Sequence, residues 1–225
     1  MLGLLLLLAV TALLLLQLWY FGHVLWWVDH NPSSSAFMSE QRELLHVEEP
    51  TLRLRHQWLA YEQISEHLKR AVIAAEDANF SDHDGVDWEA IERAYEQNLK
   101  KGKVIRGGST ITMQLAKNLF LSGSRSYLRK AQELVITYML EFAMSKDRIL
   151  ELYLNLAEWG VGVFGCEAAA QHYYGITAAK LAPLQSARLA AMLPRPRYYD
   201  KNRGAPGLAR RAGMIQRGMA SIEAP

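Results

Sequence analysis

The first 28 residues form one long apolar segment. From Leu2 to Val28 there is no Asp, Glu, Lys or Arg, and the segment ends in a group of aromatic residues, Trp19, Tyr20, Phe21, Trp26 and Trp27. A bilayer core of roughly 30 Å needs about 20 apolar helical residues, and aromatic rings concentrate at the headgroup boundary. The pattern predicts a transmembrane anchor at 1–28. A cleaved signal peptide is the alternative because Ser34-Ser35-Ala36 resembles a cleavage site, but signal peptides have shorter apolar regions, about 7–15 residues long.

Beyond the anchor, the pattern of apolar positions is mostly helical. The polar stretch 29–60, with a loop signal at Asn31–Ser35, predicts a juxtamembrane linker with a short extended piece at 51–55. Residues 61–225 predict one domain, in which apolar positions three and four apart indicate helices at 64–76, 88–99, 127–144, 146–156, 178–193 and 208–222. Asp87 and Ser145 are placed to cap the second and fourth of these helices. Strand signals are few, so the predicted class is all-α.

The overall composition is unremarkable, but the charged residues are unevenly distributed along the chain. The 225 residues carry a formal net charge of +2 and a single cysteine, Cys166, which lies among small residues and is predicted to be a small buried hydrophobe. Between Glu96 and Glu133, however, there is no acidic residue, whereas eight cations fall there: Lys100, Lys101, Lys103, Arg106, Lys117, Arg125, Arg129 and Lys130. This imbalance indicates an anionic partner, although a solvated basic face is the simpler interpretation.

Two features of the basic stretch favour a lipid-linked phosphate as that partner. The run Gly107-Gly108-Ser109-Thr110 lets backbone N–H groups approach an anion, and apolar residues alternate with Lys117 and Arg125, as suits a membrane surface. Nucleic acid is excluded because the aromatic residues form no stacking platform and the anchor would hold the domain at a bilayer. No Walker-type phosphate loop occurs.

Two glutamates stand out from the other acids. Glu76 follows the apolar run 71–75, so desolvation is expected to raise its pKa toward the range of a general base. Glu133 lies one helical turn from Arg129 and Lys130, which would keep it ionised. Chemistry at a sugar C1 often divides its work between two such carboxylates, but either one alone could equally be salt-bridged. His83 alone is more often a packing or hydrogen-bonding residue than a catalyst.

Five runs of residues resemble, in order, the motifs of the peptidoglycan glycosyltransferases, glycosyltransferase family 51. They are Glu76–Gly85 (EDANFSDHDG), Gly107–Asn118 (GGSTITMQLAKN), Arg129–Glu133 (RKAQE), Lys146–Asn155 (KDRILELYLN) and Arg188–Pro196 (RLAAMLPRP). Together they extend over most of the chain beyond the anchor and linker. Any one motif could arise by chance, whereas five in register could not.

The resemblance implies a lysozyme-like helical fold and a processive, inverting transfer. The growing lipid-linked glycan would be the donor and lipid II the acceptor, giving β-1,4-linked strands and undecaprenyl diphosphate on the periplasmic face of the bacterial inner membrane. Glu76 would deprotonate the acceptor 4-hydroxyl, and Glu133 would assist at the donor. Substrate contacts are implied for Asp77, Phe80, His83, Ser109, Thr110, Gln114, Lys117, Asn118, Arg125, Arg129 and Lys130. Mg²⁺ or Mn²⁺ on the donor pyrophosphate is also implied, with no metal held by protein side chains alone. Other cell-wall synthesis or division proteins are possible partners.

The chain departs from the family pattern at one position, where Met113-Gln114 replaces the usual Gln-Gln. About 29 residues follow Pro196 and no Ser-x-x-Lys occurs, so no transpeptidase activity is expected.

Two alternatives to the glycosyltransferase function remain. A lysozyme-like enzyme that cleaves glycan would share the fold and a glutamate, but hydrolysis of a neutral bond gives the basic stretch no task. A non-catalytic scaffold has only Met113 in its support. Charge around the anchor does not assign topology because no Lys or Arg precedes it, and the first to follow is Arg42.

Overall fold

The computed structural model describes residues 1–48, 51–102, 107–121 and 126–225. Within these ranges helices dominate, which confirms the predicted class. The helices are α1 (Leu2–Asp29), α2 (Ala36–Glu48), α3 (Glu66–Glu76), α4 (Trp88–Lys101), α5 (Ile111–Phe120), α6 (Tyr127–Ala143), α7 (Lys146–Leu156), α8 (Cys166–Tyr174), α9 (Pro183–Met192), α10 (Pro196–Lys201) and α11 (Pro206–Gly218), and the strands are β1 (Arg55–His56), β2 (Glu158–Gly160) and β3 (Val163–Phe164).

Local sequence signals place most helix ends. Helix α7 has the predicted bounds, and the Asp87 carboxylate caps α4 by accepting the Ala90 N–H at 2.7 Å. Ser145 occupies the N-cap position of α7 but forms no side-chain capping bond. The predicted helix at 178–193 is divided, because α9 begins only at Pro183. Proline has no N–H to donate and is tolerated in the first turn, so the preceding residues form a separate short turn.

Four helices were not predicted. Helix α5 lies in the stretch interpreted only as basic and apolar, α8 begins within the small-residue run at Cys166, α10 begins at Pro196 beyond the predicted helix at 178–193, and α2 lies within the 29–60 segment. Met38 of α2 is only 1% exposed and belongs to the hydrophobic core. The segment after α1 therefore packs against the domain that follows.

Helix α7 is the centre of the core. Its residues from Ile149 to Leu156 are buried except Glu151, so nearly every face of this helix contacts protein. A small sheet with strand order β1-β3-β2 lies next to it, in which β1 runs parallel to β3 and β2 runs antiparallel to β3. Cys166 is buried after this sheet, as predicted, and burial raises the pKa of its thiol to about 12.

Helix α1 is long and apolar enough to cross a bilayer, with a mean hydropathy of 2.5 in its most apolar window, and none of that window is buried in the protein. Its C-terminal half contacts the domain at α5, α6 and α7. Beside it, α6 keeps an exposed apolar stripe at Leu128, Val135, Tyr138 and Phe142, residues three, four or seven positions apart on one helical face.

Asn155 connects α7 to the segment before α3, and its loss tests how much that connection stabilises the fold. The side chain is fully buried, accepts the Leu59 N–H at 2.9 Å and donates to Leu59 O at 2.9 Å. Asn155→Ala leaves both Leu59 groups without their partner, so the free energy of unfolding should fall by about 2–5 kcal/mol. Chemical denaturation of the full chain in detergent measures the change. The exposed Asn202→Ala is the control, and equal stability of the two variants would contradict the assignment.

Candidate active site

Glu76 is the last residue of α3, and two other helices reach its carboxylate. Gln114 of α5 donates to Oε2 at 3.0 Å, and the guanidinium of Arg211 on α11 lies 3.5 Å from Oε1. The buried Tyr153 hydroxyl donates to Gln114 Oε1 at 3.1 Å. Because this bond occupies the amide oxygen, the NH₂ group of Gln114 faces the acid.

Burial raises the pKa of the Glu76 carboxyl above its ordinary value, and the neighbouring Asp77 adds to the rise. Gln114, Arg211 and Lys117 oppose it by stabilising the ionised form. A carboxylate that is costly to keep charged is a stronger proton acceptor than one in water. The predicted desolvation of Glu76 is thus present, with three groups that keep the ionised state accessible.

Asp77 and His83 fix the loop after α3 instead of opening toward solvent. Asp77 accepts the His83 Nε2–H at 2.9 Å and the backbone N–H of Ile111, the first residue of α5, at 3.0 Å. Nδ1 of His83 accepts the Gly85 N–H at 3.1 Å, so the proton of the neutral ring lies on Nε2. Both side chains hold α5 against α3, which sets the position of Gln114 relative to Glu76.

The substrate contacts predicted for Phe80 and Thr110 stay predictions, and both residues have structural roles. Phe80 is completely buried in the core, with Lys146 Nζ 4.7 Å from its ring centroid. The Thr110 hydroxyl donates to Gly85 O at 2.6 Å and accepts the Met113 N–H at 3.2 Å, so it caps α5. Apolar burial explains the first position and helix capping the second.

The first two turns of α6 carry a compact charge cluster. Glu133 is 3% exposed and accepts from Arg129 at 2.7 Å and from Lys130 at 2.5 Å, while Lys130 also reaches Ser109 Oγ at 3.4 Å. Arg129 Nε is buried and forms no hydrogen bond within the described residues. The cluster of one acid and two bases keeps a net positive charge.

These contacts correct the prediction that the basic stretch has no counter-charge. The acids at its two ends fold back onto it, since Glu133 pairs with Arg129 and Lys130, and Glu96 pairs with Lys100 at 3.7 Å. Helical spacing of three and four residues produces all of these pairs. Lys103, Arg106 and the predicted substrate contact Arg125 lie outside the described residues.

The charges of both Glu76 and Glu133 affect the pKa of Lys117. Burial lowers the pKa of its ammonium group, and the positive charges of Arg129 and Lys130 lower it further, whereas Glu133 and Glu76 both raise it. Asn118, the next residue, is buried. Met113 is also buried, at 3% exposure, so the position that departs from the family pattern faces protein.

A cavity of about 510 Å³ opens beside Glu76. Its walls come from the end of α3, the start of α4, the Gly107–Thr110 run, Gln114 of α5, Pro194 and α11. Arg93 and Arg211 add two cations that the sequence did not single out. No pattern distinguishes Arg211 from its exposed neighbour Arg210, because only the docking of α11 against α3 turns one of them toward Glu76.

The side chains here do not fit a metal ion held by the protein. No group of three His, Cys, Asp or Glu able to ligate an ion occurs among the described residues. The acids nearest the basic cluster already accept hydrogen bonds, Glu133 from two cations and Asp77 from His83 and Ile111. The divalent cation on the donor pyrophosphate stays a prediction.

Comparison with known proteins identifies the family of this chain. The family model described as transglycosylase matches residues 43–220. A biosynthetic peptidoglycan transglycosylase of Janthinobacterium sp. (strain Marseille) is 61% identical over 216 residues, covering 96% of this chain and 94% of the relative. The protein of the same name from Herminiimonas arsenicoxydans is 59% identical over 221 residues, covering 98% and 96%. This chain therefore belongs to the transglycosylase family.

Proposed function

We propose that this protein is a peptidoglycan glycosyltransferase that polymerises lipid II into β-1,4-linked glycan strands and releases undecaprenyl diphosphate. The observation that carries the proposal is the placement of Glu76 at the wall of the cavity, desolvated but held by Gln114 and Arg211. The basic cluster of Arg129, Lys130 and Glu133 supplies the second requirement, a positive site for a departing diphosphate. The names of the relatives, biosynthetic peptidoglycan transglycosylases, agree with both.

In the proposed reaction, Glu76 accepts the proton of the acceptor sugar 4-hydroxyl as that oxygen attacks C1 of the donor. Oε1 is the suitable proton acceptor, because its contact with Arg211 is long at 3.5 Å, whereas Oε2 already accepts a shorter bond from Gln114. The C1–O bond to the diphosphate breaks and its electron pair leaves with the diphosphate. Attack from the opposite face inverts C1, which agrees with the inverting transfer of glycosyltransferase family 51.

Lys117, Arg129 and Lys130 would stabilise the charge that develops on the departing diphosphate. Glu133 acts through these cations and not as a proton donor, because its two oxygens accept from Arg129 and Lys130 in a buried position. It holds two long, flexible side chains in fixed positions, and one buried acid among three bases leaves the site positive. Arg129 Nε, which has no hydrogen-bond partner in the part of the chain that the structure describes, is a further donor for a phosphate oxygen.

Helix α1 supports a membrane-anchored enzyme. Lipid II and the growing lipid-linked glycan are substrates confined to a bilayer, so a domain tethered by α1 meets them at the surface. We place the domain on the periplasmic face of the bacterial inner membrane, with α1 as a single span. Cell-wall synthesis or division proteins are proposed as partners of the enzyme. Glycan cleavage, the alternative, is not favoured, because it would give the positive cluster around Glu133 no role.

Substitution of Glu76 tests the base. Glu76→Gln keeps the shape and the hydrogen-bonding capacity of the side chain but cannot accept the proton, so polymerisation of purified lipid II should fall by about 10²–10⁴-fold. Glu66→Gln is the control on the same helix, since Glu66 is exposed and forms only surface ion pairs. The readout is glycan product resolved by gel electrophoresis. Polymerisation by Glu76→Gln at the wild-type rate would remove this residue from the mechanism.

The pH dependence of the rate tests the environment of Glu76. Its raised pKa predicts an acidic limb in kcat/KM, in which activity falls as the pH drops through that pKa. Arg211 lowers the pKa of Glu76, so Arg211→Met should raise it and move the limb to higher pH. Arg210→Met removes the same charge from an exposed position of α11 and should leave the limb in place. Coincident profiles for the two variants would contradict the predicted pairing.

Neutralisation of the basic cluster tests the diphosphate site. Lys130→Gln removes a cation but keeps a polar side chain, and polymerisation should fall by about 10–100-fold because the leaving group loses one stabilising charge. Lys101→Gln, at an exposed position of α4, is the charge-matched control. The measurement is the initial rate of lipid II polymerisation by each variant. Equal rates for the two variants would show that the diphosphate binds elsewhere.

A further inference from the structure

A polar pair joins the membrane helix to α6 beside Glu133. Gln17 lies in the apolar helix α1, and its amide exchanges two hydrogen bonds with Gln132, each 2.9 Å long. Polar side chains inside membrane helices are rare and mark functional contacts more often than not. Gln132 directly precedes Glu133, so this contact lies on the helix that carries the charge cluster.

The same face of α1 also contacts α5. Phe120, the last residue of α5, lies three positions after Lys117 and packs edge-on against Tyr20, with ring centroids 5.1 Å apart, and against Trp27 at 5.0 Å. At the end of α1, Arg148 of α7 donates to Trp27 O at 2.8 and 3.0 Å and to His30 O at 2.8 Å. Three helices of the domain are therefore fixed to one membrane helix.

The aromatic contacts and the Arg148 contacts hold the C-terminal part of α1, but aromatic packing alone tolerates small rotations. The Gln17–Gln132 pair does not, because both amides must face each other for both bonds to form. We propose that Gln17 is a positioning residue for the donor side of the site, which acts through Gln132 to fix the rotation and depth of α6 relative to the membrane helix. The inference rests on the proposed function, since it assumes that the cluster on α6 binds the donor diphosphate.

A double-mutant cycle tests the pair. Gln17→Leu and Gln132→Leu should each lower kcat for lipid II in liposomes by about 3- to 15-fold, the range expected of a hydrogen-bonded pair in a membrane. The double variant should be no slower than either single variant, because the two residues act as a unit. Thr11→Val is the control on α1, since its hydroxyl donates only to Leu7 O of the same helix. Wild-type kcat in the double variant would overturn the proposal.

A second experiment restores the contact between positions 17 and 132 by a different bond. It distinguishes a positioning role of the two side chains from a requirement for their amide groups. In Gln17→Cys/Gln132→Cys the unreacted form should be as slow as the leucine variants, and bridging the two thiols with a short bifunctional methanethiosulfonate, whose spacer replaces the length of the two amides, should recover at least half of the wild-type kcat. Cys166 is completely buried and will not compete. Failure to cross-link in liposomes, or cross-linking without recovery, would refute the positioning role. Inactivity of the wild-type chain on lipid II would instead refute the proposed function, whatever the cross-linking shows.

Discussion

The arrangement of the site depends on one buried carboxylate, that of Asp77. It ties His83 to one oxygen and the first N–H of α5 to the other, so the loop after α3 and the start of α5 cannot separate without leaving a buried charge unpaired. Losing one partner of such a group costs several kcal/mol in general. Every distance between Glu76 on α3 and Gln114 or Lys117 on α5 depends on this connection. The residue adjacent to the proposed base is therefore a structural residue, and its position in the sequence motif follows from that role.

A second principle of the site is that its acids serve opposite purposes. Glu76 is isolated in an environment that makes its charge costly, and the groups around it oppose that cost only in part. Glu133 receives two cations at short distance and stays buried. One environment favours proton acceptance and the other favours fixed positive charge. Both acids act on Lys117, since the negative charges of Glu133 and Glu76 each raise the pKa of its ammonium group.

Much of this could be predicted from the sequence. Helical periodicity identified α3, α4, α6 and α7, because each has one continuous apolar face and a local start or stop signal. The apolar run before Glu76 indicated its desolvation. Helix α5 was not predicted, because its buried residues Ile111, Leu115 and Leu119 lie among polar and basic residues. The excess of positive charge in this stretch was interpreted as a binding surface, and its helical spacing was not considered. The sequence places Glu133 beside Arg129 and Lys130, but it did not predict that Glu96 pairs with Lys100 at the other end of the stretch.

Other features arise only from tertiary contacts. Arg211 is about 135 residues from Glu76, and the pattern of α11 does not separate it from Arg210. The motif residues Phe80 and Thr110 are predicted from the sequence to contact a ligand, and their roles in packing and capping become visible only in the fold. A short motif around a reactive acid must also encode the support for that acid, and sequence spacing cannot tell the two uses apart.

The apolar surface of this protein does not end at helix α1. Leu128, Val135, Tyr138 and Phe142 remain exposed on α6, and Phe120 is covered largely by rings from α1. A shortened chain that lacked residues 1–28 would uncover Phe120 and keep the stripe on α6. It would therefore expose a continuous apolar surface to water. Such a fragment would self-associate or adsorb to micelles. It would need detergent to stay monomeric in solution even though the candidate membrane span has been removed.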